Sequence, residues 1–201
     1  MYFRTKKTKL IDITFSNDLE PEKGKLLISD PFLDDDYFRR SLIYLCEFNK
    51  EGSFGFVINN FISVNLHDLD ESFPEIETQI SLGGPMEINS LYFIHTLGDK
   101  INNSLLIKEN IYLGGDFQQL SAFIMEDETI VKNVRFFIGY SGWAANQLDS
   151  EIRNNSWIVS EMSSSTMLFD SQSKLTWKRY MHDLGGKFKI MSRFPIDPSD
   201  N

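Results

Sequence analysis

The stretch SLIYLCEFNKEGSFGFVINN, residues 41–60, restricts the fold of this chain more than any other. Two runs rich in β-branched and aromatic residues flank Asn49-Lys50-Glu51-Gly52, a set of turn-forming residues, and together they predict a β-hairpin. Side chains alternate along a strand, so Leu42, Tyr44, Cys46 and Phe48 should share one face while Ile43 and Leu45 share the other. Both faces are apolar, which makes this strand a central one.

The rest of the chain continues in short runs closed by turn residues. LLIS before Asp30-Pro31 ends as a strand, because proline biases the residue ahead of it away from the helical region. TQISLGGPM and NIYLGGDF each end an apolar strand in Leu-Gly-Gly, and NSLYFIHTL, SLLIKENIYL, VRFFIGY, SWIVSEM and TMLFD supply further strands. Helices are fewer. VNLHDLDE predicts a short one over 64–71; Phe117, Leu120, Phe123 and Ile124 form one helical face behind Asp116 as N-cap. Leu148 and Ile152 mark a helix after Gly142, and Trp177, Met181 and Leu184 face inward on another that stops at Gly185. Many strands with few helices predict an α+β fold. No linker divides the 201 residues, so a single domain over 1–201 is expected, with a basic N-terminal arm (about 1–11) and an irregular tail (about 194–201).

Charge narrows the partners. The net charge is −9, yet Arg4, Lys6, Lys7 and Lys9 at one end and Lys174, Lys178, Arg179, Lys187, Lys189 and Arg193 at the other face only Asp183 among acids. The remaining ten basic residues stand against 28 acidic ones. Basic ends lying on an acidic body are the simpler reading. Nucleic-acid binding through those ends is disfavoured by the overall charge, because it depends on Lys and Arg displacing counterions from phosphate. No apolar run reaches the length of a bilayer span, and the single cysteine, Cys46, agrees with a reducing compartment, so a cytoplasmic location without membrane attachment is expected.

No cofactor or metal signature is present. Neither Leu-Gly-Gly has the spacing of a phosphate loop or dinucleotide fingerprint, and Asp116 would repel a phosphate at the second. His67, His95 and His182 are scattered, Asp34-Asp35-Asp36 lacks the calcium-loop pattern, and Cys46 is alone. The serine in Gly139-Tyr140-Ser141-Gly142 invites a nucleophile-elbow reading: strand, tight turn, helix, with His182 or His95 as base. Such an elbow needs a small residue two places past the serine, and Trp143 stands there. A turn serine capping the following helix is the expected role.

Four ordered motifs, GKLLISDPFLDDDYFRRSLIYLCEFNKEGSFGFVIN, LGGPMEINSLYFIH, YLGGDFQQL and RFFIGYSGWAANQLDSEIRNNSWIV, resemble the AlgH/YqgE family of bacterial proteins over about residues 22–185. The resemblance implies a coiled, mainly antiparallel and partly open-barrel-like or bifurcated sheet flanked by helices. The family's glycine motif reads Gly-Tyr-Ala-Gly-Trp-Gly, so Ser141 replaces an alanine and Ala144 a glycine. No catalytic set comes with the resemblance; one branch is linked to transcriptional regulation.

The expectation is therefore a non-enzymatic binding or regulatory protein acting on an unidentified protein partner, with a serine hydrolase or acyl-transfer enzyme using Ser141 as the alternative. The distinctive surface comprises Asp30, Pro31 and Arg40 from one loop, Gly83-Gly84-Pro85, and Tyr140, Ser141, Gly142 and Trp143. A pocket walled by Tyr92, Tyr140 and Trp143 would favour a small-molecule site over a flat contact surface.

Overall fold

The computed structural model describes residues 15, 17–162, 164, 168–169 and 175–195. The N-terminal arm and the tail from residue 196 onward lie outside the described residues.

The hairpin forms as its sequence dictates: β1 (Leu26–Ser29) pairs antiparallel with β2 (Leu42–Asn49), which pairs in turn with β3 (Gly52–Val57). β2 is buried on both faces. Leu42, Tyr44 and Cys46 enter a core with Phe56, Phe137 and Trp177, and Ile43 and Leu45 enter a second with Trp143, Leu148 and Trp157. Phe48 departs from the expected alternation. Pairing steps from Leu45↔Gly55 to Glu47↔Phe54, so Cys46 is the extra residue of a β-bulge. That insertion moves Phe48 to the second core, because a one-residue slip exchanges the two faces.

β4 (Phe61–Asn65) was not foreseen, and it takes residues expected to be helical; only Leu66–Asp68 form a 3-10 turn. β5 (Glu77–Leu82), β6 (Met86–His95), β7 (Leu105–Lys108) and β8 (Ile111–Leu113) follow. α1 (Phe117–Glu126) begins as read: the Asp116 carboxylate accepts from the Gln119 N–H at 3.0 Å, and Leu120 and Ile124 are buried. β9 (Val134–Ala144), α2 (Gln147–Arg153) and β10 (Trp157–Ser160) complete the central part. In the run expected as a strand at 166–170, the described residues Leu168 and Phe169 are helical. α3 (Thr176–Asp183) docks on β1 through buried Trp177, whose indole N–H donates to the Ser29 carbonyl at 3.0 Å. Met181 is buried beside it, but Leu184 is 36% exposed; the chain turns at Gly185 into a further helix, α4 (Gly186–Met191), rather than ending.

Ten strands make one open, mostly antiparallel sheet in the order β10-β1-β2-β3-β9-β6-β8-β7, with β5 and then β4 attached to β9 off this path. β9 is the shared strand. One edge pairs antiparallel with β6. On the other edge Phe136–Ile138 run parallel to β5 and Ser141–Ala144 run antiparallel to β3, so the sheet forks at Gly139 and Tyr140. The fold is α+β in one domain, and the sheet does not close into a barrel.

Candidate functional site

The fork is held by Gly83, where the chain leaves β5. Its N–H donates to the Ile138 carbonyl at 2.8 Å, and its own carbonyl accepts from the Val57 N–H at 2.9 Å and the Ser141 hydroxyl at 3.0 Å. Backbones pass so closely here that a side chain does not fit. A Cβ on Gly84 would lie 2.0 Å from the Tyr140 carbonyl, and one on Gly139 would lie 2.6 Å from the Gly84 carbonyl. Gly139 also has φ +67°, a conformation that L residues with side chains rarely adopt.

This corrects the expected tight turn with a serine capping the next helix. β9 continues through the motif to Ala144, and Ser141 lies within it, fully buried and paired with Gly55. Nor does Ser141 cap α2, whose N-cap is Asn146. The glycines serve a kink at which a strand exchanges neighbours. His95 pairs with Val134, seven residues away along β9, or about 20 Å at strand rise. Its Nδ1 accepts from the Leu97 N–H at 3.2 Å, which places the proton on Nε2, donating to the Gly114 carbonyl at 3.0 Å; burial lowers its pKa. His67 bonds the Phe73 carbonyl, and His182 sits exposed beside Asp183. Ser141→Ala should therefore cost about 1 kcal/mol in urea unfolding and leave the fold intact, since Gly83 keeps its bond from Val57.

Beside the fork opens a cleft of about 810 Å3. Phe54 and Phe56 come from β3, Tyr92 from β6, and Tyr140, Gly142 and Ala144 from β9, with Glu47, Asn49 and Glu51 from the hairpin turn at its rim. The opposite rim is a bulge of β6: Met86 pairs with Tyr140 but Leu91 with Ile138, so Glu87 to Ser90 loop outward, with Glu87 at φ +47°. The Tyr92 hydroxyl donates to the Glu87 carboxylate; burial first, and then this carboxylate, push its pKa up to about 12. Gly142 stands opposite Phe54 and leaves open the space that a side chain would fill: its Cβ would first meet the Tyr140 ring edge, 3.0 Å away.

Trp143 borders the cleft, but its side chain alternates away from Tyr140 and Gly142 into the core with Trp157. One carboxylate oxygen of Glu151, on α2, accepts from both indoles, at 2.8 Å from Trp143 and 2.7 Å from Trp157. Gln147 joins this set, accepting from the Ala144 N–H at 2.9 Å and donating to Glu151 at 3.0 Å. The start of α2 is thereby fixed to the end of β9.

The residues singled out in the sequence fall into two groups. Gly83, Gly84 and Ser141 build the fork, Tyr140, Gly142 and Trp143 line the cleft, and Pro85 is exposed next to Met86. Asp30, Pro31 and Arg40 lie at the opposite end of β2. There the Asp30 carboxylate accepts from the Phe32 N–H at 2.8 Å and burial raises its pKa. The Arg40 guanidinium lies 5.0 Å from the Trp177 ring centroid and donates to the Phe194 carbonyl. Phe54, Phe56, Glu47, Glu51 and Glu87 were not singled out; the period-2 aromatics of the hairpin's second arm were the available signal. Among the described residues no three His, Cys, Asp or Glu side chains gather as a metal site.

The fold and this region together define an open, forked α+β sheet with an aromatic cleft at the fork. The profile of a family described as AlgH-like matches residues 26–189, and the chain belongs to that family. It is 38% identical over 180 residues to a UPF0301 protein of Cytophaga hutchinsonii, covering 89% of this chain and 98% of that one. To a UPF0301 protein of Bacteroides fragilis it is 40% identical over 187 residues, covering 92% and 94%. The solution structure of the AlgH protein from Pseudomonas aeruginosa superposes with a TM-score of 0.66 at 24% identity, over 86% of this chain and 94% of that one. The crystal structure of protein DIP2367 from Corynebacterium diphtheriae gives 0.69 at 21% identity, over 90% and 95%. Both likenesses bear on the fold. The UPF0301 and AlgH-like family is one of uncharacterised function.

Proposed function

We propose that this chain is a non-enzymatic binding protein that takes a small molecule in the cleft at the fork and passes its occupancy to a partner by contact, in a regulatory role in the cytoplasm. The observation that supports the reading is the cleft itself: about 810 Å3, within the range of small-molecule sites, walled by aromatic side chains and bordered by a few polar groups. Ser141 argues against the hydrolase alternative, because its hydroxyl is committed to the Gly83 carbonyl and fully buried. A partner has an apolar edge to touch beside the opening, where Met86 and Ile88 are exposed on the β6 bulge. Among the described residues no helix is long and apolar enough to cross a membrane.

Gly142→Val tests the reading. The added side chain projects into the cleft, and valine suits a strand. In a thermal-shift screen of small molecules, compounds that raise the Tm of the wild type should leave the variant unmoved; a ligand at a hundredfold its Kd stabilises by about 2.7 kcal/mol. Hits that stabilise both proteins equally, or no hits with the wild type, would refute it.

A further inference from the structure

We infer that the cleft is built for a small organic cation, an alkylated ammonium or guanidinium on a molecule that fits a space of about 810 Å3. This rests on the ligand-binding reading above and names the ligand class.

The first support is a closed circuit of aromatic rings. Phe54 and Phe56 have centroids 6.1 Å apart, Phe56 and Tyr92 5.7 Å, Tyr92 and Tyr140 5.8 Å, and Tyr140 and Phe54 6.0 Å. Three of these contacts are near-perpendicular, at 78° to 87°. Phe56 is fully buried and stacks on Phe137 at 4.4 Å, so it backs the wall, while the half-buried rings of Phe54, Tyr92 and Tyr140 border the opening. A cation within about 6 Å of one of these three centroids is attracted by the ring's negative π face. Quaternary ammonium groups are held in aromatic surroundings of this kind.

The second support is charge. Glu47, Glu51 and Glu87 line the cleft, and among the described residues no Lys, Arg or His does; Lys50, at the hairpin tip, is outside the lining. Among the described residues none of these three carboxylates makes an ion pair: Glu47 accepts from the Asn49 amide at 2.6 Å, and Glu87 from the Tyr92 hydroxyl. An anion would meet only like charge here. A cation gains from the carboxylates on approach and from the rings once desolvated, and the chain's net charge of −9 draws it in.

Calorimetric titration of the full chain at low salt should separate a cation from its neutral shape. Choline is compared with its carbon isostere, in which a tert-butyl group replaces the trimethylammonium. Choline should bind at least about tenfold more tightly. Tyr140→Leu, which keeps bulk but removes the ring, should weaken choline about tenfold, and Tyr140→Phe should restore it. Glu47→Gln with Glu87→Gln should weaken it at low salt and flatten its salt dependence.

Equal affinity for the two molecules would overturn the inference. So would no heat from choline, tetramethylammonium or agmatine at up to about 10 mM, where a millimolar Kd still registers. If neutral compounds then bind the wild type and not Gly142→Val, the binding reading stands and the cationic ligand falls; if nothing binds, both fall. A lysine-rich peptide favoured more than about tenfold over the free cations would assign the cleft to a protein partner and overturn the small-molecule form.

Discussion

Gly84→Ala should leave little or no folded protein under conditions in which the wild type is stable. The alanine Cβ would sit 2.0 Å from both the carbonyl carbon and oxygen of Tyr140 and 2.2 Å from the Ser141 nitrogen. All three are backbone atoms of β9, the strand shared by both branches of the sheet, so relief requires moving β9 away from β3, β5 or β6. A loss of about 4 kcal/mol or more is expected, out of a total that for a domain is about 5–15 kcal/mol. Circular dichroism and urea unfolding would read it. The control is Gly98→Ala: φ there is +66°, but nothing lies within 4 Å of the added methyl, so only the backbone cost of about 1 kcal/mol applies. Equal stability of the two variants would mean that the close crossing at the fork does not hold.

The next largest effect is expected at Glu151. Its one oxygen serves the indole N–H groups of Trp143 and Trp157, both nearly buried, and no other acceptor bonds either indole among the described residues. Hydrogen bonds to a charged group contribute about 1.5–3 kcal/mol each, and a buried donor left without an acceptor bears its desolvation cost. Glu151→Leu should therefore destabilise by about 3–5 kcal/mol. Glu151→Gln keeps an acceptor oxygen and should recover a good part of that loss. Tryptophan fluorescence during urea unfolding reports both, because two of the chain's three Trp residues are involved. If Leu and Gln behave alike, the shared acceptor contributes little.

What the sequence conveyed follows from the range of the interactions. The hairpin at 49–52 and the Asp116 cap are set by neighbouring residues, and both formed as expected. The family resemblance added the forked, open sheet. Local reading failed where a distant strand decides the outcome. Gly139 and Gly142 look like a turn in isolation, but Gly84, more than fifty residues earlier, crosses there, and the strand kinks at Gly139 and continues to Ala144. Phe48 changed faces because Cys46 bulges, which alternation cannot reveal. Leu184 stayed on the helical stripe yet remains 36% exposed. At the level of sequence, a pocket walled by Tyr92, Tyr140 and Trp143 was only the feature that would favour a small-molecule site over a flat surface; all three border the cleft, although the Trp143 ring packs elsewhere. Phe54 and Phe56 reach the same cleft only because β3 lies against β9, a pairing of residues some ninety positions apart.

That pairing also bears on how the chain is made. While the ribosome has yet to release residue 144, β3, β5 and β6 already exist, but the strand that satisfies their open edges does not. Their unpaired amides and carbonyls, flanked by Phe54, Phe56 and Phe93, are then offered to any other strand that comes near. Contacts of such long sequence separation close slowly, so the nascent polypeptide passes through a sticky interval that ends only when β9 threads between its waiting neighbours.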